Sequence, residues 1–142
     1  MSIPSLNDNR ELPDGQYQVS LDEIENRFGC ANEQRRRLMQ GLRSAATNLS
    51  KAHVRKLWID GSFVIDKENP NDIDGVWETN SQIDLNVLDP VFLGNRDAMK
   101  EKYGVDFFPD VIEAGSGLPF PVFFRTNRDK EPKGILVVRL GE

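Results

Sequence analysis

The chain has 142 residues, 38% hydrophobic and 29% charged, which is enough for one soluble globular domain with a buried core. A formal net charge of −5 argues against a protein that coats nucleic acid, because phosphate neutralisation needs a basic surface. The single cysteine, Cys30, excludes an internal disulfide, and no apolar run approaches the ~20 residues that cross a bilayer.

Residues 1 to about 19 are polar and turn-rich, with Leu12-Pro13-Asp14-Gly15 as the clearest turn, and read as an arm laid over the body or equally as a partner-binding tail. No basic segment followed by an apolar one is visible there, so a signal peptide is not expected and a cytoplasmic setting is. Ser20-Leu21-Asp22-Glu23 is a capping box that predicts a short helix ending at Gly29. Asn32 predicts the cap of a longer helix running to about Ala52. Leu38, Leu42, Ala45, Leu49 and Ala52 recur there at three- and four-residue steps, as one buried stripe. Three successive arginines, Arg35 to Arg37, cannot all face one ligand and read as a solvated face. Cys30 reads as a small buried residue near the helix junction.

Residues 54–60 predict a first strand, 63–67 a turn or short helix, and 68–71 a loop that Pro70 keeps extended. A second strand is expected over 72–78. Residues 84–102 look helical, interrupted at Pro90 and again near Gly94. A short apolar strand with one acid in its middle, Asp106, covers 103–109. After a flexible loop at 114–119, residues 121–125 and 134–140 read as a terminal hairpin joined by a charged turn. The whole, residues 1–142, reads as one α/β domain of the α+β type: a mixed sheet with N-terminal helices packed on it and a C-terminal hairpin.

Chemistry concentrates between residues 57 and 77. Leu57-Trp58-Ile59-Asp60 is a buried strand that breaks into Gly61-Ser62, and a Gly-Ser turn before a helix offers free amides and a hydroxyl to a phosphate. In Asp72-Ile73-Asp74 the alternation of a strand puts both acids on one face and Ile73 in the core. Two carboxylates held together are costly unless cations share them. Phosphate seat and acidic pair together point to metal-dependent chemistry on a nucleotide.

Gly61-Ser62, nine residues, then Asp72-Ile73-Asp74 resembles the signature of the polymerase-β type nucleotidyltransferase superfamily in its minimal single-domain form. The flanking Trp58-Ile59-Asp60 and Pro70-Asn71 also resemble small bacterial and phage proteins assigned to that superfamily. The resemblance implies that Gly61 and Ser62 hold the triphosphate of ATP or another nucleotide, and that Asp72 and Asp74 bind two Mg2+ ions. It implies a third carboxylate from a neighbouring strand, which Asp106 would supply. It further implies transfer of a nucleoside monophosphate, AMP in the first instance, to a protein or small-molecule hydroxyl. The alternative it leaves open is a catalytically weak binding module, such as the antitoxin-like subunit of a toxin–antitoxin pair.

Other residues have plainer readings. Asp84 rivals Asp106 as the third acid, but Ser81 and Asp84 suit capping better. Asp60, before the glycine, could tune the site, but suits a salt bridge or cap better. His53 has no spaced partner for zinc and reads as structural, and Trp58 and Trp77 read as core. Arg125, Arg128, Lys130 and Lys133 crowd the terminal turn, where interleaved Asp129 and Glu131 favour a solvated surface over a triphosphate grip.

Overall fold

The computed structural model describes residues 3–8, 11–60, 62–64, 69–110 and 134–140, with Ser62 described by its backbone alone. Its first helices form where local chemistry dictates. In α1 (Leu21–Phe28) the Ser20 hydroxyl accepts from the Glu23 amide while the Glu23 carboxylate accepts from the Ser20 amide, so two otherwise unpaired donors are satisfied reciprocally. The Asn32 side chain accepts from the Arg35 amide at 2.8 Å and opens α2 (Glu33–Lys51). One stripe of α2, from Leu38 through Leu42 and Ala45 to Leu49, is buried.

The described strands are β1 (Gly15–Gln18), β2 (Lys56–Asp60), β3 (Ile73–Trp77), β4 (Val105–Pro109) and β5 (Gly134–Arg139). They form a mixed sheet in the order β1-β5-β2-β3-β4. β2 runs antiparallel to both β5 and β3, whereas β3–β4 and β1–β5 are parallel pairs. A parallel pair needs a crossover. For β3–β4 it is built from a turn at 84–88, a 3-10 helix (Pro90–Leu93) and α3 (Arg96–Tyr103). The expected breaks at Pro90 and Gly94 are there, but residues 84–88 turn instead of coiling. Asp84 caps that turn by accepting from the Asn86 amide.

The sheet has two unlike faces. Leu57, Ile59, Ile73, Trp77, Val105, Phe107, Leu136 and Val138 join the core beneath α1, α2 and α3. The alternate positions Trp58, Val76, Ile135 and Val137 form a second, smaller buried cluster. Two glycines set the crossover. At Gly41 in α2 a Cβ would lie 1.8 Å from the Tyr103 carbonyl oxygen, so α3 can approach only because the side chain is missing. Gly104 takes φ +71° as the C-cap of α3, and its carbonyl accepts from the Ile73 amide at 3.0 Å. Helix therefore passes into β4 without a loop.

Several expectations change. Residues 15–18 lie within the arm expected over residues 1–19, yet they form a strand on β5, the outermost of the described strands on that side, with Leu12 and Val19 buried beside it. Among the described strands β5 lies between β1 and β2, and the other strand of the expected terminal hairpin, at 121–125, lies outside the described residues, as do Arg125, Arg128, Lys130 and Lys133. Arg35 is buried, not solvated: it donates to the carbonyls of Phe28 and Phe63, at 3.0 and 2.6 Å. Cys30 is exposed instead of buried. His53 is structural, at φ +71° in the exit from α2, with its Nδ1 3.2 Å from the Gln82 carbonyl oxygen. Trp58 and Trp77 are core. No helix among the described residues is long and apolar enough to cross a membrane.

Candidate metal centre

Asp72 stands just before β3, Asp74 lies within it, and Ile73 between them is fully buried on the helix side. Both acids therefore leave the sheet on the face opposite the helices. The parallel register sets Asp74 of β3 beside Asp106 of β4. Each of the three carboxylates offers an oxygen, and these oxygens lie within 4.8 Å of one another. Asp84, the rival third acid, is spent on its turn.

Burial and repulsion act together on this cluster. Asp106 is buried, and Asp72 and Asp74 are partly so. The Asp74 carboxyl is pushed up to about 7, first by burial, then by the charges of Asp72, Asp106 and Asp60, against a smaller opposing effect of Lys100. Asp60 is a contributor, where the sequence favoured a salt bridge or cap over tuning of the site. It ends β2, pairs in register with Asp74 and is 3% exposed. The available signal was its place directly after the apolar run Leu57-Trp58-Ile59 of the same strand.

Two cations also went unremarked in the sequence. Arg96 grips Asp106 with both arms, Nε to Oδ1 at 3.1 Å and Nη2 to Oδ2 at 2.7 Å. Asp106 in turn raises the Arg96 pKa by hydrogen bonding and charge. Lys100 Nζ is 3.3 Å from Asp72 Oδ2 and 3.8 Å from Asp106 Oδ2. The signal was two cations four residues apart on the helix that runs directly into the strand carrying Asp106.

Of the expected phosphate seat, Gly61 lies outside the described residues, and Ser62 opens a short 3-10 helix (Ser62–Val64) directly after β2. Arg35 anchors that helix through the Phe63 carbonyl, with its guanidinium 5.2 Å from the Phe63 ring centre. The donor set is all oxygen, which suits hard divalent cations over zinc or copper. Burial first, and the neighbouring acids after it, raise Asp74, and carboxylates perturbed in this way are common at functional sites.

Residues 4–139 match the family of unknown function DUF6932. No curated protein and no solved structure matches the chain.

Proposed function

The chain belongs to the DUF6932 family, whose function is unknown, and we propose that it is a metal-dependent nucleotidyltransferase moving AMP from ATP to a hydroxyl of a protein or small molecule in the cytoplasm. One observation carries the reading: oxygens of Asp72, Asp74 and Asp106, from two adjacent strands, converge within 4.8 Å. That set fits a pair of Mg2+ ions, whose bound charge would neutralise the triphosphate and align attacking and leaving oxygens. In this reading Asp72, Asp74 and Asp106 would hold the ions, and Asp106 would also help to deprotonate the acceptor. By the resemblance, Gly61 would let the backbone approach the phosphates, and Ser62 would supply amide and hydroxyl donors. Asp60 deepens the negative potential behind Asp74 and so favours cations at the triad. Positioning and charge neutralisation are most of what phosphoryl transfer asks of a protein.

The test is transfer of label from α-labelled ATP, with Mg2+, to candidate protein and small-molecule acceptors. Asp72→Ala, Asp74→Ala and Asp106→Ala should each lower the rate by at least ~100-fold, the size of effect seen when a charge-stabilising group is removed from a site, and a chelator should abolish it. Transfer that persists in all three variants would refute the assignment.

A second reading has an observation of its own. Arg96 and Lys100 already meet part of the triad's charge, as they would in a binding module that keeps the fold without turnover, for example an antitoxin-like partner subunit. It predicts binding of ATP or a protein partner with no transferred label.

A further inference from the structure

The open side of the triad is closed by two cations from one face of α3. Arg96 and Lys100 both reach Asp106 Oδ2, at 2.7 and 3.8 Å, and Lys100 spans onward to Asp72 Oδ2. These oxygens belong to two of the three carboxylates that would hold a divalent ion. Like charges at about 4 Å repel strongly even near a protein surface, so the ammonium and a metal ion compete for those carboxylates.

Neither cation is trapped. The Arg96 and Lys100 side chains are 55% and 41% exposed. Both line a cavity of about 430 Å3 with Gly94, Asn95 and Asp97. Lys100 also borders a cavity of about 560 Å3 between α2 and α3, which Arg37 and Lys102 line as well. Arg96 keeps a second hold, because its guanidinium sits 5.3 Å from the centre of the Phe108 ring. It can leave the carboxylate and stay over the site.

We propose that Arg96 and Lys100 are displaceable counter-ions, released when divalent metal binds Asp72, Asp74 and Asp106 and then taken up by the triphosphate of the nucleotide. The inference rests on the metal-site reading above and adds to it the residues that couple metal binding to nucleotide binding. In the metal-free protein the two cations compensate three crowded acids. With metal in place their own partners are gone, and a planar fork and an ammonium are what phosphate oxygens accept from. The coupling makes ATP binding strong only after the metal has arrived.

The test is calorimetric titration with Mn2+, followed by ATP titration at saturating Mn2+, on the full chain. Lys100→Met and Arg96→Gln should each bind Mn2+ about tenfold more tightly and ATP about tenfold more weakly, the size of one charge contact in a site. Lys100→Arg, which keeps the charge, should track the wild type in both titrations. Unchanged or weakened Mn2+ affinity in both charge-removing variants, with thermal melts showing them folded, overturns the inference and leaves the metal site standing. Tightened Mn2+ binding with unchanged ATP affinity overturns the triphosphate half. If no protein in the series binds Mn2+, the metal-site reading itself fails, and this inference with it.

Discussion

Asp74 is a carboxylate held against its own preference, and stability should register it. Its pKa rises from 3.8 to about 7 on folding. A raised acid favours the protonated form in the native state, so its contribution is most favourable below the unfolded value and is lost as pH rises through about 7. In chelator, urea denaturation should therefore show stability falling between about pH 4 and 7 from this group, and Asp74→Asn should flatten that slope. A wild-type and variant slope that coincide would contradict the assigned origin of the shift. Arg35 is the opposite case, a buried cation whose charge-assisted bonds to the Phe28 and Phe63 carbonyls hold the turn after β2. Arg35→Met should cost about 2–3 kcal/mol in urea denaturation, the range for hydrogen bonds to charged groups. Arg37→Ala, on the exposed side of the same turn of helix, should stay within about 0.5 kcal/mol.

At the scale of elements, α3 and its two glycine contacts place the third acid. Gly41 admits the Tyr103 carbonyl to a distance that no side chain allows, and Gly104 turns the chain from helix into β4. Gly41→Val should drive α2 and α3 apart and cost about 3 kcal/mol or more, the upper range for overpacking, read as a lowered melting temperature with near-ultraviolet dichroism changed. Gly104→Ala should cost about 1–2 kcal/mol for its left-handed backbone. What the sequence made legible here was local: the capping box at Ser20, the Asn32 cap, the buried stripe of α2 and the breaks at Pro90 and Gly94 all depend on residues within one or two turns. Asp72 and Asp74 were legible because a period of two needs no partner. The pairing of β1 with β5 was not, since Gly15-Gln16-Tyr17-Gln18 is a polar strand whose partner lies over a hundred residues away. Nor was the burial of Arg35, which is decided by two carbonyls brought to it from other segments. The two cations of α3 escaped for the same reason, and Asp60 was outweighed by plainer readings, because their meaning comes from the register that sets β2, β3 and β4 side by side.

The molecule as a whole divides its labour between the faces of one sheet. Helices and most of the core cover one face, while Asp60, Asp74 and Asp106 stand on the other, so the rigid side fixes the spacing of the acids. Divalent cations should then stabilise the folded chain by mass action: millimolar Mg2+ should raise the melting temperature of the wild type and leave Asp74→Asn unmoved. The central claim is that the three carboxylates are a metal cage with displaceable counter-ions. Its most direct measurement is anomalous scattering from crystals grown with Mn2+ and a non-hydrolysable ATP analogue. The account predicts metal peaks bounded by Asp72, Asp74 and Asp106, with Arg96 and Lys100 turned to the phosphates; an intact Arg96–Asp106 pair with no peak at the triad would contradict it.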